Sequence, residues 1–298
     1  MADLLLTGAN GQVGWEIARQ AAGLSLHAAD RAALDIADAG AVAAAFARFS
    51  PKVVINAAAY TAVDKAETDR DGAFAVNRDG AAHLARACAD SGATLIHLST
   101  DYVFDGAKNG AWTEDDAVAP LGVYGASKLA GEEAIRALCP RHLILRTAWV
   151  HGVHGHNFVK TMLRVGAERD RLRVVDDQSG CPTFAADLAG TVLALADRVL
   201  AGPLPTDGFG TFHCAGAGRT TWCGLARSIF ARMAPRWGRR PEVEAITTAD
   251  YPTPACRPAN SVLDCRRLRQ VHGLALRPWD EALADMLDRL ADNEGSSA

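Results

Sequence analysis

Leu4-Leu-Leu-Thr7-Gly8-Ala-Asn10-Gly11-Gln12-Val13-Gly14-Trp-Glu16 is the stretch that decides the fold. A short apolar run ends at Thr7, glycines follow at every third position, and Gln12 to Ala22 carries a helical pattern. An apolar run this short, placed before a turn, predicts a buried strand. A tight strand-to-helix turn needs residues without a Cβ. A helix starting there aims its free N–H groups and positive end at an anion. Gly8, Asn10, Gly11, Gln12, Val13 and Gly14 are therefore candidates to hold a dinucleotide pyrophosphate. The spacing is G-x-x-G-x-x-G, not the commoner G-x-G-x-x-G.

Outward from this turn, a second apolar run over 24–29 ends at Asp30. An acid there accepts from ribose hydroxyls and favours NAD, whereas the adjacent Arg31 suits a 2′-phosphate. NADH and NADPH thus both stay open, and Asp30 equally suits a cap before Arg31-Ala-Ala-Leu34. Further runs stand at Val53–Asn56, Thr94–Leu98 and Leu143–Arg146, with alanine-rich helical patterns between them. Such alternation predicts βαβ units and a parallel sheet. Ligands bind at the carboxyl ends of such strands, where Thr7-Gly8, Asp30, Asn56-Ala57-Ala58 and Ser99-Thr100 would converge. The fold class expected is α/β: a Rossmann-type doubly wound parallel sheet with a smaller mixed α/β substrate-binding domain.

The texture changes near residue 150. Gly and His cluster over 151–156, and prolines mark turns at Pro182, Pro203, Pro205, Pro235, Pro241, Pro252, Pro254 and Pro258. Residues 1–150 are expected to form the NAD(P)-binding domain, and 151–298 mainly a sugar-nucleotide-binding domain. Helical patterns cover 158–167, 185–200, 221–233 and 279–290, and the helix over 185–200 is expected to return to the first domain. The small polar stretch 293–298 predicts a disordered end.

The chemistry is carried by Thr100 and by Tyr124-Gly-Ala-Ser-Lys128. A Tyr four residues before a Lys shares its helix face. An unperturbed phenol titrates near ~10, and a neighbouring ammonium favours the phenolate, making Tyr124 a usable acid or base. Thr100 offers a hydroxyl to a substrate oxygen. Tyr-x-x-x-Lys alone also describes an ordinary helix face.

Bulk properties exclude other classes. The 298 residues are about half hydrophobic with a net charge of -4, which points to neither nucleic acid nor an anionic membrane. No apolar run is long enough to span a bilayer, and the N-terminus lacks the pattern of a signal peptide. Seven scattered cysteines without C-x-x-C pairs predict reduced thiols and a cytoplasmic protein. His151, His154 and His156 lack metal-ligand spacing and read as a solvated loop.

Taken together these residues resemble the extended short-chain dehydrogenase/reductase family, and within it the dTDP-4-dehydrorhamnose reductase branch. The resemblance is carried by Gly8–Gly14 with Trp15-Glu16, the block Asn56 to Glu67, Ser99-Thr-Asp-Tyr-Val-Phe-Asp-Gly106, Tyr124 to Glu132, Arg146-Thr-Ala-Trp149, Asn157-Phe-Val159 and Gln178-Ser-Gly-Cys-Pro-Thr183. It implies reduction of the C4 ketone of dTDP-4-dehydro-L-rhamnose by NADPH or NADH, for cell-surface polysaccharide precursors. Tyr124 would protonate the nascent alkoxide, Lys128 would hold the nicotinamide ribose and stabilise the phenolate, and Thr100 would bond near the reacting oxygen. Asp30, Arg31, Asp35, Ile36, Ala57, Ala58, Ala59, Tyr60 and Thr61 would line the cofactor beside the glycine turn. Asp101, Tyr102, Trp149, Asn157, Gln178, Pro182 and Arg257 would contact the sugar nucleotide. Family members also pair through Mg²⁺ held by acids, of which Glu16 is present while the later cluster is thin at Ala185-Ala186-Asp187. Both a monomer and a homodimer are open.

Other readings stand beside these. Trp149 suits either a sugar face or a domain seam, Gln178 to Thr183 suits a turn, and Arg257 suits a diphosphate or plain solvent. Asp64-Lys65-Ala66-Glu67 reads as a solvated helix start. A 4,6-dehydratase would place a second acid after Asp101, where Tyr102 stands. A 4-epimerase or a non-catalytic NAD(P)-binding regulatory subunit remains an alternative.

Overall fold

The computed structural model describes residues 3–202 and 204–295. Its centre is a six-stranded sheet in the order Gly210–His213, His142–Thr147, Thr94–Thr100, Val53–Asn56, Leu4–Thr7, Leu26–Ala29, with every neighbouring pair parallel. The expected fold class stands. Alternation explains why the central strands are apolar throughout: Leu4, Leu6, Val53, Ile55, Leu143 and Leu145 enter one core, while Leu5, Val54 and Ile144 enter the core on the other face. The helices Gln12–Gln20 and Ala185–Ala201 cover the first face, and Ala39–Phe49 and Ala81–Ser91 cover the second.

The edge strand Gly210–His213 is not among the runs that the sequence singles out. Its four residues include Gly210, Thr211 and His213, so no apolar run marks it; pairing with Leu143–Arg146 makes it a strand. Within the alanine-rich helical pattern expected between Asn56 and Thr94, Ala75–Gly80 forms a π-turn that runs into Ala81–Ser91. Pro235, expected in a turn, lies in the last turn of the helix Trp222–Trp237, where its missing N–H removes the usual helical bond to the Ala231 carbonyl. The helix Trp279–Gly295 continues into the predicted tail, and 296–298 lie outside the described residues, as does Pro203.

The second lobe surrounds its own core, built from Val159, Met162, Phe184, Leu225, Phe230, Leu283 and Met286 among others. Short sheets link it together: Thr220–Thr221, Ser179–Gly180 and Asn260–Ser261 in one, and Glu242–Ile246 with Arg171–Val175 in another. Its strand Thr183–Phe184 pairs with Val150–His151 just past the sheet's carboxyl edge. That junction opens the cleft between the lobes.

Candidate active site

The glycine turn is built by exclusion. Gly8 has φ 74°, and a Cβ there would stand 2.5 Å from Ala58 N. A Cβ on Gly14 would stand 2.1 Å from Gly8 O. Both positions are closed to any side chain, so the turn brings bare backbone to the crevice. Gly11 precedes the helix Gln12–Gln20 with no side-chain cap, leaving the first-turn N–H groups open to an anion.

Asp30 serves two turns: its Oδ2 accepts from Asn10 Nδ2 of the glycine turn at 2.9 Å, and its Oδ1 caps its own turn through Ala33 N at 2.9 Å. The Arg31 side chain is exposed and reaches Asp35 Oδ2 at 3.4 Å. A cavity of about 220 Å³ is lined by Gly8, Arg31, Asp35, Ile36, Ala58 and Tyr60. It shares Asn10, Gly11, Ala57 and Ala59 with a larger cleft of about 610 Å³, whose walls also include Gln12, Val13, Thr61, Thr100, Asp101, Tyr102, Tyr124, Lys128 and Trp149. The two cavities form one trough that starts at the second strand and ends at Tyr124. Val63, from the Asn56 to Glu67 block, lines it as well, as do Leu98, Val150 and His156, which the sequence did not assign to a ligand.

Thr100 ends the strand Thr94–Thr100. Its Oγ1 donates to Asp101 Oδ1 at 3.0 Å and accepts from Tyr102 N at 3.2 Å. Burial pushes the Tyr124 phenol up to about 12; the Thr100 hydroxyl beside it pulls it down and Asp101 pushes it up. Burial is the largest influence on this phenol, which keeps its proton at neutral pH. Tyr102 packs edge-on to Tyr124 with ring centroids 5.5 Å apart. Lys128 is 2 % exposed, and its Nζ donates to Leu98 O at 2.6 Å. Burial lowers its ammonium to about 8, against an opposing pull from Glu132. Asp101 is 2 % exposed, and burial raises its carboxyl to about 6.

The helix Val123–Leu138 that carries Tyr124 and Lys128 is anchored from outside. Gly122 cannot cap it, and Glu67 Oε1 instead accepts from Val123 N at 2.8 Å. Asn77, in the π-turn, donates to Ser127 Oγ at 2.9 Å, binds both the N–H and the carbonyl of Tyr60, and so couples this helix to the cofactor wall. A Cβ on Gly131 would stand 2.1 Å from Asn77 O, so the helix and π-turn touch backbone to backbone. One turn further on, Glu132 is fully buried and joins Ser99 Oγ at 2.6 Å with the fork of Arg146 at 2.9 and 2.7 Å.

On the other side of the cleft, Trp149 adopts φ 49° and stacks on Trp222, with ring centroids 3.5 Å apart. Trp222, which carries no motif, also lines a separate cavity of about 370 Å³ with Gln178, Arg257, Phe158 and Tyr251. Gln178 Oε1 accepts from Trp222 Nε1 at 3.1 Å. Arg257 Nη2 donates to Asp64 Oδ2 at 2.9 Å, which ties the lobes together. Asp64 does stand in the first turn of a short helix, Val63–Ala66, as the sequence suggests, and both Asp64 and Glu67 serve as anchors as well. Asn157 caps the helix Phe158–Glu168 through Lys160 N and donates to Gln12 Oε1 at 2.8 Å; it clasps the glycine turn and lines neither cavity. Pro182 is buried under Gly216 and likewise lines neither.

Glu16 has one carboxylate oxygen engaged, while its Oε1 is buried without a hydrogen-bond partner. It is 1 % exposed, and its Oε2 is held by Arg19 at 2.7 Å and Gln20 at 3.2 Å. Arg277 takes both oxygens of Asp187, at 2.8 and 2.9 Å. Among the described residues no group of three or more His, Cys, Asp and Glu side chains is placed to hold a metal ion. His151 is not solvated: it is 2 % exposed, stacks on Phe184, and burial lowers its imidazole to about 4. His154 Nε2 donates to Asn10 O at 3.0 Å, and His156 faces the cleft. No helix among the described residues is long and apolar enough to cross a membrane.

Comparison with known proteins agrees with this geometry. The RmlD substrate binding domain family matches residues 1–292. A dTDP-4-dehydrorhamnose reductase of Sinorhizobium fredii is 45% identical over 280 residues, 94% of each chain. The crystal structure of a dTDP-4-dehydrorhamnose reductase from Clostridium acetobutylicum superposes with a TM-score of 0.90 at 42% identity, covering 97% of this chain and 99% of the other. A Bacillus anthracis dTDP-4-dehydrorhamnose reductase, solved in complex with NADP, superposes with a TM-score of 0.89 at 34% identity, covering 97% and 100%. A chain this similar over nearly its whole length, with the same fold, belongs to the RmlD substrate binding domain family, the family of its dTDP-4-dehydrorhamnose reductase relatives.

Proposed function

We propose that the chain reduces the C4 ketone of dTDP-4-dehydro-L-rhamnose to dTDP-L-rhamnose, with NADPH or NADH as reductant. The observation that carries the reading is the meeting of Thr100, Tyr124 and Lys128 at the end of a trough that begins at the glycine turn. The family's reductases support the substrate, and the NADP complex of the Bacillus anthracis relative supports the cofactor. Gly8, Gly14 and the open helix start fit the pyrophosphate, and the smaller cavity by Asp35 and Ile36 fits the adenosine. When bound, the reduced nicotinamide supplies the hydride.

The remaining work belongs to the chain. Negative charge grows on the ketone oxygen, and Tyr124, whose raised pKa keeps it protonated, gives that oxygen its proton. Thr100 holds the oxygen against the phenol. Trp149 and Trp222 close the sugar side and exclude water. The cavity beside Gln178 and Arg257 takes the nucleotide part of the substrate. The unpaired cysteines, most of them buried, fit a reducing compartment, which favours the cytoplasm.

The test is an assay of purified protein with dTDP-4-dehydro-L-rhamnose and each nicotinamide. Stoichiometric loss of reduced cofactor is expected. Turnover of a sugar nucleotide without net cofactor loss would instead make the chain an epimerase, and cofactor binding without turnover a regulatory subunit.

A further inference from the structure

A buried row of polar groups runs under the cleft from the backbone of Ala58 to Lys128. Ala58 N donates to Asn56 Oδ1 at 3.1 Å, and Thr7 Oγ1 donates to the same oxygen at 2.8 Å. A backbone N–H can only donate, so the Asn56 amide is fixed with its oxygen towards Ala58 and its NH₂ towards His97. Asn56 Nδ2 stands 2.9 Å from His97 Nδ1, which must then accept. A neutral imidazole has one donor and one acceptor nitrogen, so the proton of His97 sits on Nε2. Nε2 faces Lys128 Nζ at 3.2 Å. His97 is 1 % exposed and cannot escape to another partner.

An ammonium has only donors. Against Nε2–H it would place two donors face to face in a buried site, at a cost comparable to an unmade hydrogen bond. An uncharged amine meets both neighbours: it donates to Leu98 O and accepts from Nε2–H. We propose that His97, locked as its Nε2–H tautomer by Asn56, is a positioning residue that disfavours the charged form of Lys128. It thereby sets the pH at which Lys128 becomes charged.

Other charged groups around Lys128 do not undo this. Glu132, on the same helix, favours the charged lysine, but Arg146 and Arg136 engage its carboxylate. Tyr124 stays protonated, Asp101 is turned to Thr100, and His142 adds to the depression of His97. Burial is the first cause of the low Lys128 pKa, so the contribution of His97 has to be separated from it by experiment. The role in catalysis rests on the reductase reading; the protonation states do not.

The test uses the cofactor-free full chain, labelled on histidine nitrogens and lysine Cε, and followed by NMR against pH. The wild type is expected to show His97 as the Nε2–H tautomer, with burial holding its imidazole well below the usual histidine range, and Lys128 titrating near 8. His97→Gln turns a carbonyl oxygen towards Lys128, and its lysine should titrate about one unit higher, the size of one net hydrogen bond. The limb of the kcat profile assigned to Lys128 should move by the same amount, while NADPH affinity at pH 7 stays within about twofold. A wild-type His97 in the Nδ1–H form, or a lysine titrating near its usual 10.5 in the wild type, overturns the proposal. So does an unmoved lysine in His97→Gln, which would leave burial as the whole cause. A chain that shows these protonation states yet fails to reduce the sugar refutes the reductase reading alone.

Discussion

Trp149 and Trp222 lie face to face, 3.5 Å between ring centroids and 6° from parallel, although one follows a strand of the central sheet and the other opens the helix Trp222–Trp237. Trp149 lines the cavity that holds Tyr124, and Trp222 lines the one that holds Arg257. The pair is the common wall between the reacting end and the nucleotide end of the proposed substrate. Its geometry is imposed: Trp149 sits at φ 49°, which a bulky residue rarely adopts, and a Cβ on Gly180 would stand 2.3 Å from its ring. Gly180 is thus a glycine because the indole lies where its side chain would be.

Removing half of this wall should weaken substrate capture without touching the chemistry. Trp222→Ala is expected to raise KM for the sugar nucleotide about tenfold, from lost stacking and burial. Its kcat should stay within about twofold, and its affinity for NADPH should not move. Steady-state kinetics with a direct cofactor titration checks this; a fall in kcat with unchanged KM would place Trp222 with the reacting groups.

The phenol is the proposed proton donor, and its loss should be specific. Tyr124→Phe keeps the ring that packs edge-on against Tyr102 and removes only the hydroxyl. Turnover should fall by roughly 10²–10⁴-fold, the usual worth of a positioned acid. Cofactor binding, followed by fluorescence, should persist. Turnover close to wild type would mean that another group, with Thr100 the nearest, delivers the proton.

The sheet was legible because its central strands are apolar on both faces and separated by helical patterns, which is what a doubly covered parallel sheet demands. The glycine turn was legible because steric closure at Gly8 and Gly14 leaves no other residue type possible. What stayed hidden was whatever long-range pairing creates. Gly210–His213 becomes a strand only through its neighbour, and Trp222 reaches the site only through Trp149. Asp64 and Glu67 look like helix-start acids because their partners, Arg257 and Val123, are distant in sequence. Asn157 was assigned to the sugar by its motif, but its amide is engaged by Gln12 and Gly152. His151 looked solvated because a glycine-rich loop normally is; here Phe184 covers it.

Glu67 makes the point testable. Its carboxylate stands in for the cap that Gly122 cannot supply to the helix carrying Tyr124 and Lys128. Glu67→Ala leaves Val123 N without that partner, and should cost about 0.5–2 kcal/mol of stability, as other lost caps do. A lower kcat at unchanged cofactor affinity should accompany it, because the helix start is one residue from Tyr124. Denaturant melts and kinetics on the same preparation check both; undiminished stability would show that water or the helix itself supplies the cap.

Asp101 gives the pH dependence its clearest sign. Burial raises its carboxyl from 3.8 to about 6 in the folded chain. Between these values the folded chain holds a proton that the unfolded chain has already lost, so stability falls as pH rises through the window and then levels off above about 6. The carboxylate at neutral pH is therefore kept in the cleft at a cost to the fold, which is the common price of a functional group in a dry site. Asp101→Asn, similar in shape and never charged, should recover on the order of 2–3 kcal/mol at pH 8 and little at pH 4. Thr100 and Ser261 bond the native carboxyl, so some of this gain will be offset where the amide cannot serve both. Denaturant melts of both proteins at the two pH values measure the difference directly. Equal differences at pH 4 and pH 8 would mean that Asp101 ionises as freely in the cleft as in water, and that its place beside Thr100 costs the fold nothing.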